Sequence, residues 1–330
     1  MANGASTALS TARPLSRRAR RADHLGELLF TNATLIATLL VLLLLGGVVV
    51  ALTQGALPAL RQFGPAFVTS ADWNPVTDQF GAEVAIFGTM VTALIALLIG
   101  IPLSIGIAFF LTEICPKRFR RAISTAIELL AAVPSIIYGI WGLFVLAPFL
   151  QVHVQPRLIT SLGSLPGIGA LFAGPPLGIG VLTAGLILGL MVLPFIASTL
   201  CDVFRSVPVD FKESAYGLGC TTFEVIWHVV LPFGRTGVVG GIMLGLGRAL
   251  GETMAVTFVI GNSHRITPSL LAPGSTIAST IANEFTEAVG PLYTAALLEL
   301  GLILFVISFV VLVLAKTLLG RVERIQGGLR

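Results

Sequence analysis

Ionisable side chains inside stretches apolar enough to be buried are the residues with chemistry to perform. They are Arg248 and Glu252 in GVVGGIMLGLGRALGETMAVTFVIG, Glu128 in ISTAIELLAAVPSIIYGIWG, and Glu299 in AALLELGLILF. On one continuous helix, Arg248 and Glu252 share a face with Gly237, Gly241 and Gly245, whose spacing of four favours close helix packing. That face points the charges into a bundle rather than into lipid. A lone charge at mid-membrane costs about 2.5–3.5 kcal/mol on insertion scales, so the pair needs a reason to persist. Two readings fit. Either the two side chains neutralise each other, or Arg248 offers a forked donor to an oxyanion in transit while Glu252 holds the guanidinium when the path is empty. Glu128 and Glu299 divide between the same pathway, with inter-helix hydrogen bonding, and simple interior packing. Near Glu128, Pro134 is expected to bend its helix, and Tyr138 and Trp141 to line a gate. Glu83 and Glu113, at span ends, read as interfacial.

Other chemistries lack their residues. His24, His153, His228 and His264 are scattered without an HExxH, so a metal site has no support. Cys115, Cys201 and Cys220 have no CxxC spacing and read as free structural thiols. No nucleophile elbow is present. A phosphate-cradling loop needs Gly-Lys-Ser/Thr, but Lys117, Lys212 and Lys316 follow Pro116, Phe211 and Ala315. The chain itself therefore is expected to be no enzyme and to bind no cofactor.

The elements that must hold these residues are membrane helices. Of 330 residues, 55% are hydrophobic and 11% charged, with a mean hydropathy of +0.96, which sets aside the soluble-domain prior. Residues 1–25, small, polar and arginine-rich, are expected to be a disordered cytoplasmic tail. Residues 26–53 are too long for a secretory h-region and form the first of six transmembrane helices. An outer loop, 54–83, separates it from a five-helix core, 84–318, whose runs are about 84–112, 123–150, 177–200, 238–261 and 292–318. Residues 319–330 close the chain. Lys117, Arg118, Arg120, Arg121, Arg205, Lys212, Arg235, Lys316 and the tail arginines fall on one side, which makes that side cytoplasmic along with both termini. Such clustering follows topology and does not form a nucleic-acid face. The proline- and glycine-rich stretch 151–176 reads as an irregular or re-entrant outer loop.

Between the fourth and fifth runs lies a polar segment, 202–235, flanked by the glycine helix. Residues 212–218 form a short helix ended by Gly217 or Gly219; Thr221 or Thr222 caps a second, with Glu224 in its first turn, and Pro232 closes the unit. Glu213, Ala215, Gly219, Leu231 and Pro232 are spaced as in the EAA loop of ABC importer permeases, which this segment resembles, with Ser214 and Val229 as small departures. The resemblance implies a coupling helix that docks on a separate, dimeric ATPase, where ATP and Mg would be used. The runs RALGETMAVTFVIGN, ELLAAVPSIIYGIWGLFVL and NEFTEA are similar to the C-type subunit of the phosphate-specific importer permeases of bacteria, from about Phe67 to Lys316. That resemblance implies an all-α, type I importer (MetI-like) core in the bacterial inner membrane and linkage of Arg248 and Glu252 to phosphate passage. It also implies a paralogous A-type permease and a periplasmic phosphate-binding protein as partners. Arginine chemistry alone leaves molybdate or sulfate open as cargo. An ion-coupled secondary carrier would have no reason for the capped segment.

Overall fold

The computed structural model describes residues 17–327. They are mainly helical, and their single strand-like pairing is the Asn74–Gln79 bridge. In chain order the helices are α1 (Arg17–Phe63), α2 (Glu83–Ile114), α3 (Lys117–Ala132), α4 (Ser135–Leu162), α5 (Val181–Arg205), α6 (Val209–Gly217), α7 (Thr222–Leu250), α8 (Ile277–Glu284) and α9 (Pro291–Gly327). Six of them, α1, α2, α4, α5, α7 and α9, are long and apolar enough to cross a membrane. The chain divides into two units, one ending at Ala51 and one beginning at Leu52. The packing of the helices described below lies within the second.

Helix α5 is the hub, the most buried of the spans, packed chiefly on α2 and α7. Small residues make the approach possible. Gly189 lies against the backbone of Ala96, and Gly185 sits over the side chain of Ile95. Ser104 of α2 donates to the Leu193 carbonyl at 2.9 Å, next to Pro194 within α5. The first amides of α5 are satisfied by the irregular segment after α7: Val181 donates to Ala272 O at 3.2 Å and Leu182 to Leu270 O at 2.8 Å. Non-helical backbone at this depth is tolerated because it is enclosed by protein.

The expected elements need correction in several places. Residues 1–16 of the expected tail lie outside the described residues, but 17–25 already belong to α1, which runs on to Phe63 through part of the expected outer loop. The third run does not begin at 123. Val133 is extended, as the residue before a proline prefers, so Pro134 ends α3 and starts α4 instead of bending one helix. Helix α4 then continues to Leu162, through much of the stretch read as an irregular loop. π-Helical turns at Gly142–Leu146 and Leu150–Val154 precede Pro148 and Pro156 and accommodate residues that would otherwise break an α-helix. The fifth run shifts the other way, beginning at Thr222 and ending at Leu250.

Candidate solute pathway and coupling surface

Helix α7 begins with a full capping box. Glu224 Oε2 accepts from the Thr221 amide at 2.7 Å, and Thr221 Oγ1 accepts from the Glu224 amide at 3.4 Å. Pro232 does not close this unit. A π-helical turn at Ile226–Val230 takes up the missing proline donor, and the helix passes through Leu231 and Pro232 without interruption. Before it, α6 ends at Gly217, and Gly219 adopts a φ of 88°, a conformation suited to glycine. Glu213 is exposed and Ala215 is buried. Around them Phe211, Leu218, Phe223 and Trp227 are large apolar side chains left in the open, Leu218 at 86% exposure. They leave an exposed apolar surface on α6 and the start of α7.

One anchor of this surface was not legible in the sequence. Lys212 Nζ meets Glu113 Oε1 at 2.6 Å and also donates to the Phe204 carbonyl at 3.4 Å, with the two charged side chains only 16% and 7% exposed. It ties α6 to the end of α2. Glu113 reads as interfacial from its place at a span end, and its partner, 99 residues away in the chain, leaves no local signal.

The glycine face of α7 packs on α5. A Cβ at Gly241 would lie 3.3 Å from Thr199 Cγ2, and one at Gly245 only 2.5 Å from Ile196 Cδ1; at Gly237 it would collide with Val203. Arg248 follows near the end of the helix. It is exposed in this chain, and its guanidinium carbon stands 5.8 Å from the centroid of Phe195, within cation–π range. Phe195 is midway along α5, so Arg248 stands level with the middle of that span. Tyr138, the expected gate residue, donates to Leu130 O at 2.8 Å across the α3–α4 break and is within electrostatic range of Arg248.

Glu252 does not share that helix face. With α7 ending at Leu250, Glu252 lies in the break before the single helical turn Met254–Thr257, and its Oε1 accepts from the Ala255 amide at 3.2 Å. No ion pair joins it to Arg248 among the described residues. The one-turn offset that was expected to pair them requires the helix to run two residues further, through Gly251 to Glu252, than it does.

Glu128 and Glu299 line separate cavities. Glu128 is exposed on α3, accepts from Ser124 Oγ at 3.1 Å, and borders a basic cavity with Arg120, Arg121 and Arg205. Glu299 is 2% exposed, and its Oε2 has no hydrogen-bond partner. It faces an apolar groove of about 690 Å³ bordered by Leu60, Met90, Ile303 and Val306. At the other end of the bundle, Glu284 collects three donors. Trp73 Nε1 and Tyr293 Oη donate to Oε2 at 2.7 Å each, and His264 Nε2 contacts Oε1 at 2.9 Å while its ring stacks on Trp73. Burial would raise the carboxyl's pKa, but the hydrogen bonds from His264, Tyr293 and Trp73 outweigh it and hold the group below the usual carboxylate value.

The exposed apolar side chains around α6 are thus joined, through the unbroken helix α7, to Arg248 beside the middle of α5. The family profile described as binding-protein-dependent transport system inner membrane component matches residues 100–324, which hold all of these candidate residues. The chain belongs to that family. It is thus an integral, multi-pass inner-membrane protein. It is 58% identical to the phosphate transport system permease protein PstC of Mesorhizobium japonicum, over 97% of this chain and 99% of that one. It is 55% identical to the protein of the same name from Pasteurella multocida, over 92% and 95%. The probable PstC of Methanocaldococcus jannaschii is 40% identical over 78% and 82%. Among solved structures, a bacterial alginate ABC transporter bound to its alginate-loaded periplasmic protein matches with a TM-score of 0.59 at 18% identity, covering 91% of this chain and 97% of that one. The MetNI methionine transporter matches at 0.52 with 15% identity, over 73% and 93%. Both share the fold, so the expected all-α, six-span importer-permease architecture is the one found.

Proposed function

We propose that this chain is the membrane-spanning permease subunit of an ATP-driven importer that moves inorganic phosphate from periplasm to cytoplasm. The observation that carries the reading is near-full-length identity above 50% to permeases named for phosphate transport. The geometry gives that reading a mechanism. Helix α7 is one piece of 29 residues, about 43 Å at 1.5 Å per residue, running from the exposed apolar surface at Thr222 to Arg248. A push on α6 and the start of α7 reaches the arginine through a rigid helix instead of a hinge. The end bearing α6, Arg205 and the α3 arginines is cytoplasmic, as their positive charge favours. An even number of spans returns the chain to the side on which it starts, which supports reading both ends as cytoplasmic.

Arg248 is the forked donor to phosphate in transit, with Tyr138 beside it. Glu252 acts at one remove, by fixing the start of the turn after Arg248 through the Ala255 amide. Glu128 borders the path at its cytoplasmic end, and Glu299 is an inter-helix residue outside it. Glu213, Ala215, Gly219, Leu231 and Pro232 belong to the coupling element. The partners are a dimeric ATPase that uses ATP and Mg, a paralogous A-type permease, a periplasmic phosphate-binding protein and the surrounding lipid. An external energy source is required. Importing an anion into a negative interior costs about 2.3 kcal/mol per charge per 100 mV.

The reading is tested by labelled-phosphate uptake into vesicles carrying the complete complex. Arg248→Gln abolishes uptake with the complex still assembled, whereas Glu213→Lys weakens co-purification of the ATPase. Uptake that persists without any ATPase, or at normal rate in Arg248→Gln, refutes the corresponding part.

A further inference from the structure

Where the start of α3 meets the end of α5, the chain builds a second basic site, apart from Arg248 and beside Glu128. A cavity of about 420 Å³ is bordered by Lys117, Arg120 and Arg121 from the first turns of α3 and by Arg205 from the last turn of α5, with Ser124 and Glu128 beside them. Four cations thus face one carboxylate. Among the described residues, Lys117, Arg120 and Arg121 make no ion pair, and Arg205 reaches only Asp202, at 3.8 Å. Arg120 donates through Nη2 to the Cys115 carbonyl at 3.3 Å, while its Nε is buried with no partner. Ser124 links the two walls: its Oγ accepts from Arg205 at 3.4 Å and donates to Glu128 at 3.1 Å. The N-terminus of α3 adds partial positive charge at the same place.

Like charges so gathered repel one another unless an anion joins them. A tetrahedral phosphate group, with oxygens facing several directions, can accept from more than one guanidinium at once. Topology alone does not account for the arrangement. The requirement for positive charge on one side of the membrane is met equally by Arg118, which does not border the cavity. The site is also distinct from Arg248, since Arg205 lies ten residues along α5 from Phe195, about 15 Å.

We propose that Lys117, Arg120, Arg121 and Arg205 form a binding site for a phosphate group at this end of the bundle. Its occupant is either inorganic phosphate leaving the pathway or the headgroup of an anionic lipid. The inference rests on the phosphate-import reading only for the choice of inorganic phosphate as the probe.

The test uses the full chain carrying Arg248→Gln, in nanodiscs of neutral phosphatidylcholine, with radiolabelled inorganic phosphate measured by scintillation proximity. Saturable binding is expected. Adding Arg121→Gln raises Kd about tenfold or more, the usual loss for a charged hydrogen bond, whereas adding Arg118→Gln leaves it unchanged. A parallel arm adds phosphatidic acid and reads retained lipid by native mass spectrometry. Phosphate binding that depends on Arg121 but not Arg118 assigns the site to free phosphate. Absence of phosphate binding, with lipid retention that depends on Arg121 but not Arg118, assigns it to the headgroup. No binding in either arm, or equal effects of Arg118→Gln and Arg121→Gln, overturns the proposal. Because both arms read binding, failure of the complete complex with Arg248 intact to take up phosphate, with this test passed, refutes the import reading alone.

Discussion

Replacing Lys212 by methionine removes the charge that ties α6 to α2 while keeping most of the apolar stem. Glu113 is then left 7% exposed with no cation, and the 2.6 Å contact is gone. Breaking a buried pair by removing one partner costs about 3–5 kcal/mol. Because Lys212 retains some exposure, the lower end applies, about 3 kcal/mol. Since α6 has few other anchors, the loss falls on its local opening. At about 1.4 kcal/mol per tenfold, amide hydrogen exchange in 213–217 should accelerate about 100-fold, while exchange in the centre of α5 stays as it was. Combining Lys212→Met with Glu113→Met removes the stranded charge, and most of the protection should return, because a buried pair replaced by apolar side chains is nearly neutral. In the complete complex, the single variant should also hydrolyse ATP with little phosphate uptake. Unchanged exchange in Lys212→Met, or a double variant whose loss equals the sum of the two single losses, refutes the idea that this ion pair holds α6 in place.

The glycine face of α7 gives a contrast in sign. Gly245→Ala places a Cβ 2.5 Å from Ile196 Cδ1 and should destabilise the chain by about 1–3 kcal/mol through overpacking. Gly240→Ala meets nothing within 4 Å and should stabilise it by up to about 1 kcal/mol through helix propensity. Thermal unfolding of the full chain checks both. The Glu284 cluster should respond to acid. Its folded pKa lies below the unfolded value, so its contribution is fully present above about pH 4.5 and is lost as pH falls through the depressed folded value. Thermal unfolding measured down through that range should show an acid limb that Glu284→Gln largely removes; an identical limb in the variant refutes the assignment.

Much of the architecture was legible because its signals are local. Apolar runs longer than a bilayer needs, arginines gathered on alternate loops, and the Thr221–Glu224 spacing each depend on residues within one or two turns. The glycines after Glu213 and Ala215 likewise marked the end of a short helix, where Gly219 takes a positive φ. Proline was the least reliable guide. Pro134 separates two helices where bending was expected, whereas Pro148, Pro156 and Pro232 sit in helices that continue. A π-helical turn precedes each of those three, whereas Pro102 and Pro194 lie inside α-helices without one, and the pattern of apolar residues encodes neither outcome. The helix-face argument for Arg248 and Glu252 failed for a related reason, since it assumed a helix that Gly251 ends.

The sequence by itself determined that this is a six-span membrane protein with a capped polar insertion and an arginine in its glycine-rich helix, because burial, charge asymmetry and capping are properties of neighbouring residues. Only the tertiary structure decided what those charges meet. Arg248 lies on Phe195 instead of Glu252, Lys212 pairs with Glu113, Glu284 gathers Trp73, His264 and Tyr293, and the α3 arginines converge with Arg205. Each of these partnerships joins residues from different helices or loops, and the depth and rotation at which helices pack are set by side chains far apart in the chain.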